Sequence, residues 1–332
     1  MIREIREHKG AKHMRIAVVG CGRWGTYLAW YLHTHAGHGV ILYGRNTSAR
    51  FAQLQQTRRN DYLTLPDGLR LESNLDRALA DAQTVILSIG AQGLRAFMQQ
   101  TTPAMWAHKT LVLCMKGLEA QSGCRLTQVV QPFLPDTAQL AIWVGPGHVQ
   151  DFLGGIPNCM VIDAADPATT DALIDAFSSE LIRFYYGRDL LGNEIGAASK
   201  NVIGIAAGML DGMHLTSLKG ALMSRGTREI ARLIGAMGGQ PQTAYGLSHL
   251  GDYEATVFSP HSHNRAFGER FAQGQAYDAL AEGAATSRAM VRLAQKYGVE
   301  LPICTAVYRC LYERAQPRAM LSELFLRSQK AE

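Results

Sequence analysis

From Ile16 to Thr26 the chain reads IAVVGCGRWGT, a β-branched run that breaks on Gly20, Gly22 and Gly25 and gives way to a helical pattern, YLAWYLHTH. That junction restricts the fold more than any other stretch. The first two glycines allow a tight turn and let a pyrophosphate approach the backbone, the third lets a helix pack on a strand, and the helix start offers unpaired amides. Glycine-rich turns serve many folds, so the motif alone is weak. Its place between a strand and a helix, with a second strand GVILY at Gly39 to Tyr43, makes it a dinucleotide turn.

The end of the second strand bears on the cofactor. An NAD site usually has Asp or Glu there to hold the ribose hydroxyls, whereas this chain has Gly44, Arg45, Asn46 and Thr47. Arg45 suits the 2′-phosphate of NADP, with Arg50 as a helper, against the plain alternative of a solvated loop arginine. The reading favours NADP and keeps NAD open. Further strands are expected at Thr84 to Ile89, at Leu111 to Met115 and in LAIWVGPGH. They end in the turn Gly90 to Gly93, in Lys116 and Gly117, and in Gly145, Pro146 and Gly147, and strand ends of this kind line a ligand crevice. CMVIDAAD and LIRFYYG, with a helix over TTDALIDAFSSEL between them, extend the sheet, and RRNDYLTLPDGLRL reads as a polar stretch.

Beyond Gly187 to Gly192 the β signals nearly vanish. Helices are expected at Glu194 to Leu210, Leu218 to Met237, Pro241 to Leu247, Ala284 to Tyr297 and Thr305 to Gln316. The expected fold is therefore α/β: a doubly wound sheet over residues 14–190, then an all-α second domain over 191–330, with the active site in the crevice between them. At 332 residues with 47% hydrophobic and 18% charged residues, the chain has the length and composition for two such domains.

In GNEIGAASKNVIGIAAGMLDGM, from Gly192, Lys200 sits amid small and apolar residues. Burial disfavours an ammonium and prepares a lysine to exchange a proton near neutral pH, while the plain alternative is a snorkelling side chain at the edge of a core helix. Asp252, in SHLGDYEAT, could pair with a lysine, hold substrate hydroxyls or cap a helix. Ser262, His263, Asn264 and Arg265 gather donors before an amphipathic helix, which suits an anion and equally a capped turn.

Composition excludes other classes. The net charge of +5 is scattered along the chain apart from the Met1–His13 leader and Arg58–Arg59, which suits small anions better than nucleic acid. No apolar run approaches the ~20 residues of a membrane span, and the leader is too polar for a signal peptide. Six cysteines without CxxC spacing read as reduced thiols in a cytoplasmic protein. No metal site is expected, because His249, His261 and His263 lack the spacing joined to a carboxylate that a metal site requires, and His148 stands apart from them.

Taken in order, GCGRWGT, KGLE at Lys116 to Glu119, VGPGH, EIGAASKNVIGIAAGMLDG, ALMSRG, GLSHLGD, SHNRAFG and AEGAATS make the chain resemble the bacterial NAD(P)-dependent glycerol-3-phosphate dehydrogenases from about Arg15 to Tyr312. The resemblance implies a Rossmann domain joined to a helical domain, and interconversion of sn-glycerol 3-phosphate and dihydroxyacetone phosphate with NAD(P)H. It makes Lys200 the general acid/base, with Lys116 and Asp252 its catalytic partners. Lys116, Gly145, Gly147, Asn201, Ser262, His263, Asn264 and Arg265 fall at substrate positions. Gly20, Gly22, Arg23, Trp24, Gly25, Arg45 and Glu282 fall at cofactor positions, and a homodimer is the family's frequent state.

Three departures stand out. His263 occupies the place of the family's phosphate-gripping arginine, Gly147 replaces a Ser or Thr, and the loop HLTSLKGALMSRG is altered. A histidine carries only part of a charge at neutral pH and lacks the two-pronged donor array, although Arg265 is near enough in sequence to swing in. The main expectation is an NADP-preferring reductase of a small, anionic three-carbon ketone. The same chemistry on a related anion, such as a phosphonate, and a non-catalytic NADP-binding sensor are its alternatives.

Overall fold

The computed structural model describes residues 13–328, so most of the polar leader and the last residues of the expected second domain lie outside the described residues. Eight strands form one sheet: β1 (Arg15–Val19), β2 (Gly39–Tyr43), β3 (Arg70–Glu72), β4 (Thr84–Leu87), β5 (Thr110–Leu113), β6 (Gln139–Val144), β7 (Asn158–Ala164) and β8 (Ile182–Tyr186). Their order is β3-β2-β1-β4-β5-β6-β7-β8, which places the reversal of winding between β1 and β4. β1 ends on the glycine turn, and Gly20 (φ +114°) lies so close to β4 that a Cβ there would sit 2.2 Å from the Ser88 carbonyl oxygen. A Cβ on Gly25 would meet the Gly20 carbonyl oxygen at 2.0 Å. These two glycines are what let the helix Arg23–Thr34 settle on the strand with Tyr27, Leu28, Tyr31 and Leu32 buried.

Strands β4 and β5 each stop two residues before the sequence reading placed their ends, while β6 gives way at Gly145 as read. β3 was not expected, since Arg70–Glu72 lies in a polar stretch, and at the sheet edge only its pairing with Ile41–Tyr43 marks it. β7 runs antiparallel to β6, with Ile142 opposite Asp163, and β8 follows β7. That reversal has a positional effect. The chain leaves the sheet away from the ligand edge, and the next helix must run back toward it.

This helix, Leu190–Gly212, spans 23 residues, or about 34 Å. It begins four residues earlier and ends two later than expected, because the Asp189 side chain caps it at the Gly192 amide. Near its start, Asn193 donates to Asp163 of β7 at 2.7 Å, and the buried Glu194 accepts from the Thr127 amide and hydroxyl and pairs with Arg125. Lys200 therefore rises about 10 Å from a point tied to the sheet. The remaining helices are Lys219–Ala236, His263–Ala272, Glu282–Tyr297, Pro302–Tyr312 and Pro317–Phe325, the last unexpected, and Pro241–Tyr245 is 3₁₀. No strand follows Tyr186 among the described residues, so the architecture is a mostly parallel Rossmann-type sheet with an all-helical C-terminal region. No helix is long and apolar enough to cross a membrane among the described residues.

Small residues bring two helices together at the site. A Cβ on Gly208 would sit 1.9 Å from the Arg265 carbonyl oxygen, and one on Gly268 would sit 2.1 Å from that of Ile205. Backbone meets backbone, which carries Asn264 against the Lys200 helix. Gly208→Ala raises helix propensity by about 1 kcal/mol, yet overpacking against rigid backbone costs about 1–3 kcal/mol. The variant is expected to melt several degrees lower, and a thermal unfolding scan checks this.

Candidate active site

Lys200 is 7% exposed and faces Asp252, itself 1% exposed. Its Nζ lies 2.8 Å from Asp252 Oδ1 and donates to Thr256 Oγ1 at 2.7 Å. The Thr256 hydroxyl in turn donates to the Asp252 carbonyl at 2.7 Å. On the other carboxylate oxygen, Lys116 Nζ donates to Asp252 Oδ2 at 2.7 Å, and it also donates to the Gly145 carbonyl at 2.5 Å. One carboxylate thus holds two ammonium groups, Lys116 from the mouth of β5 and Lys200 from the long helix. Asp252 sits on a 3₁₀ turn, Leu250–Asp252, and its side chain pairs with lysines instead of capping a helix. The Lys200 pKa is lowered to about 8: burial drives it down, the charge of Asp252 opposes the fall, and Lys116 adds to it.

Asparagines join the two halves around this trio. Asn201 donates to the Lys116 carbonyl at 2.8 Å, Asn264 donates to Asn201 Oδ1 at 3.1 Å, and the Gly283 amide donates to Asn264 Oδ1 at 2.9 Å. Next to Gly283, Glu282 accepts from the Ala91 amide at 3.3 Å, while its Oε2 is buried without a hydrogen bond and lies near Gly117. Burial raises its carboxyl pKa, and the Ala91 amide counters this.

Gly145 and Gly147 both take positive φ, +127° and +141°. A Cβ on Gly147 would lie 2.4 Å from the Phe152 ring, which explains why no hydroxyl-bearing residue stands there. The helix start at residue 262 is less open than expected. Ser262 caps it, accepting from the Arg265 amide at 3.3 Å. Exposed His263 has its Nδ1 2.6 Å from the Tyr277 hydroxyl, and partial burial, then the charge of Arg23, lowers its pKa. Arg265 does not swing toward the site. It is committed to Asp211 at 2.9 Å, Glu269 at 3.0 Å and the Ser259 carbonyl at 3.1 Å, because half-buried Asp211, beside Lys219, draws it the other way.

At the dinucleotide turn, Gly22 caps the helix Arg23–Thr34 with no side-chain bond and no acidic residue in the first turn, and a Cβ on Gly22 would touch nothing within 4 Å. The first-turn amides are thus left for a pyrophosphate, and the buried Oε2 of Glu282 is an acceptor awaiting an N–H, so these residues fit a nicotinamide dinucleotide. Trp24 stacks on Tyr27 at 5.2 Å between ring centroids, Arg23 lies over Tyr62 at 5.8 Å, and Arg45 and Arg50 are exposed past β2. The structure therefore gathers Lys116, Lys200, Asp252, Asn201, Asn264 and Gly145, and leaves Arg265 out. Sequence reasoning missed Thr256, whose signal was its i,i+4 spacing from Asp252, the separation that sets two side chains on one face of a helical turn. It also missed the T-shaped contact of His148 with His261, with centroids 5.7 Å apart. Burial, then Lys200, lowers the His148 pKa to about 4.

A lysine with a loosened proton, paired through Asp252 with a lysine at a strand end of a sheet that opens on a dinucleotide turn, fits a nicotinamide-dependent oxidoreductase. Residues 15–170 match the family model for the NAD-dependent glycerol-3-phosphate dehydrogenase N-terminus, and residues 189–322 match that for its C-terminus. The chain belongs to the NAD-dependent glycerol-3-phosphate dehydrogenase family. It is 35% identical to a glycerol-3-phosphate dehydrogenase [NAD(P)+] of Prosthecochloris aestuarii, covering 96% of this chain and 100% of that one. It is 36% identical to one of Acidithiobacillus ferrooxidans, at 96% and 95% coverage. A solved glycerol-3-phosphate dehydrogenase of Coxiella burnetii superposes with a TM-score of 0.87 at 27% identity, over 95% of this chain and 99% of that one.

Asp252→Asn would leave two close ammonium groups without their counter-charge. Breaking such a buried pair costs about 3–5 kcal/mol. A large drop in thermal stability is expected, and adding Lys116→Met should recover part of it by removing the repulsion; the unfolding midpoints of the single and double variants check both.

Proposed function

We propose that the chain interconverts sn-glycerol 3-phosphate and dihydroxyacetone phosphate, with Lys200 as acid and base. The observation that carries this reading is one buried carboxylate holding two lysines at the mouth of the sheet. An ammonium has three N–H donors. Lys200 donates one to Thr256 and faces Asp252 as an ion pair, which leaves a donor for substrate. In ketone reduction that proton passes to the carbonyl oxygen, and in alcohol oxidation the neutral amine takes the hydroxyl proton. Lys116, with two donors on Asp252 and Gly145, turns its third to the same oxygen and polarises it. Asp252 keeps both cations aimed.

The nicotinamide supplies or accepts the hydride when bound. Gly20, Gly22 and Gly25 would admit its pyrophosphate, Arg23 and Trp24 would line its site, and Glu282 would offer it an acceptor. Asn201 and Asn264, with the Gly145–Gly147 loop, hold substrate, and Ser262 and His263 stand at its anionic end. Arg45, at the place where an NAD site would carry an acid, favours NADP. Residues 14–190 serve the cofactor and 191–330 the substrate. All six cysteines are free thiols, which supports a cytoplasmic setting, and the family resemblance supports a homodimer.

A second reading keeps the chemistry and changes the anion. His263 has its pKa lowered and is engaged with Tyr277, and Arg265 is held by Asp211, so neither offers a free cation to a phosphate. A related small anionic ketone, such as a phosphonate, then becomes the better substrate. Side-by-side NADPH oxidation with dihydroxyacetone phosphate and other short anionic ketones tests this, and full activity with the phosphate would rule the second reading out.

Lys200→Ala is expected to bind NADPH normally and to lose turnover by about 10²–10⁴-fold; retained turnover rejects the mechanism. In the wild type, kcat for ketone reduction should fall as pH rises through about 8, where Lys200 loses the proton it donates. Arg45→Ala should raise KM for NADPH about ten-fold or more and leave that for NADH nearly unchanged, as measured by steady-state kinetics.

A further inference from the structure

His249 lies in the helical core behind the lysine-carboxylate trio, 0% exposed, three residues before Asp252 and opposite the turn of helix that precedes Lys200. Its Nδ1 is 2.9 Å from the Gly196 carbonyl and 3.3 Å from Ser199 Oγ. Its Nε2 is 2.7 Å from the hydroxyl of Tyr253, also 0% exposed. The partners assign the tautomer. A carbonyl only accepts, so Nδ1 carries the hydrogen and donates to Gly196, and Nε2 accepts from the Tyr253 O–H. The resulting chain runs one way, Tyr253 O–H to Nε2 and Nδ1–H to the Gly196 carbonyl. It requires a neutral imidazole and a protonated phenol. Burial provides both, lowering the His249 pKa to about 4 and raising that of Tyr253.

The two ends of this chain belong to the two segments that must be in register for the site to exist. Gly196 and Ser199 are on the helix that carries Lys200, and Tyr253 follows Asp252 directly. The backbone adds to the tie, because the Asp252 amide donates to the His249 carbonyl at 3.0 Å. There is no slack beside it: a Cβ on Gly196 would lie 3.0 Å from His249 Cβ, and one on Gly226 would lie 3.1 Å from the Tyr253 hydroxyl. The charged groups that act on the ring are Asp252 and Lys200, while the Thr227 hydroxyl, the Cys304 thiol and the Glu229 carboxyl act on the phenol from neighbouring helices.

We propose that His249, with Tyr253, is a positioning residue that locks the Asp252 turn to the Lys200 helix and so sets the Lys200–Asp252 approach on which proton transfer depends. The proposal rests on the reading of Lys200 as acid and base. The pair touches neither substrate nor cofactor. Its effect is on how firmly the carboxylate holds the lysine.

Steady-state ketone reduction by the full-length chain, with NADPH and dihydroxyacetone phosphate across pH 6 to 10, tests it in four variants. Tyr253→Phe removes one hydroxyl and preserves the packing; His249→Leu removes both ring contacts. His249→Asn retains a donor for the Gly196 carbonyl, and Lys200→Met is the control. Misplacement of about 1 Å can cost up to about 10²-fold. For Tyr253→Phe and His249→Leu, kcat per folded enzyme is expected to fall about ten-fold or more, with KM for NADPH unchanged. The alkaline limb of kcat should move to lower pH by about half a unit or more, because a looser Asp252 holds the Lys200 proton less well. His249→Asn should recover part of both losses. If the two variants only melt earlier, with wild-type kcat and a limb that stays or moves upward, the pair is merely structural and the proposal is overturned. Should His249→Leu fail to fold, Tyr253→Phe decides alone. Full turnover in Lys200→Met would instead remove the reading of the site itself, whatever the His249 variants do.

Discussion

Two ammonium groups cannot share a partly buried site unless a negative charge stands between them, and Asp252 is that charge. It receives Lys116 on one oxygen and Lys200 on the other, at 2.7 and 2.8 Å. Lys116 comes from the mouth of a sheet strand and Lys200 from the long helix, so the same carboxylate that tunes the lysine also binds sheet to helices. Burial and charge act in opposite senses on Lys200. Desolvation lowers its pKa and Asp252 limits the fall, which leaves it at about 8.

Packing delivers these groups to one place. The glycines of the Leu190–Gly212 helix let the His263–Ala272 helix approach to backbone contact, and Asn264 thereby reaches Asn201. Asn201 reaches on to the carbonyl of Lys116. A run of amides thus repeats, beside the charges, the link that Asp252 makes between the halves. Glu282 likewise spans from the helical region to the Ala91 amide of the sheet half.

Much of this was legible in the sequence where local chemistry decides structure. The glycine turn, the apolar strands and the lysine set among small residues each carry their own signal, because strand, turn and buried helix have different periodicities and glycine requirements. What escaped was decided by distant partners. Arg70–Glu72 becomes a strand only because β2 offers it an edge, and nothing in CMVIDAAD tells that it pairs antiparallel to β6. Arg265 looked available because Asp211, 54 positions away, was not seen beside it. His249 was weighed only as a metal ligand, whereas its neighbours are a carbonyl and a phenol. Gly147 read as a lost hydroxyl, and the nearby Phe152 ring supplies the reason.

The antiparallel turn of β7 has a mechanical consequence. The long helix starts against the sheet, pinned there by Asp163 and by the buried Arg125–Glu194 pair, before it rises to the cleft. Rotation about the junction after Tyr186 would separate that pair and strand the buried Glu194 carboxylate without its cation. Lys200 is therefore carried on a helix whose first turns are fastened to the same sheet that bears the glycine turn, so the two are linked through the sheet itself.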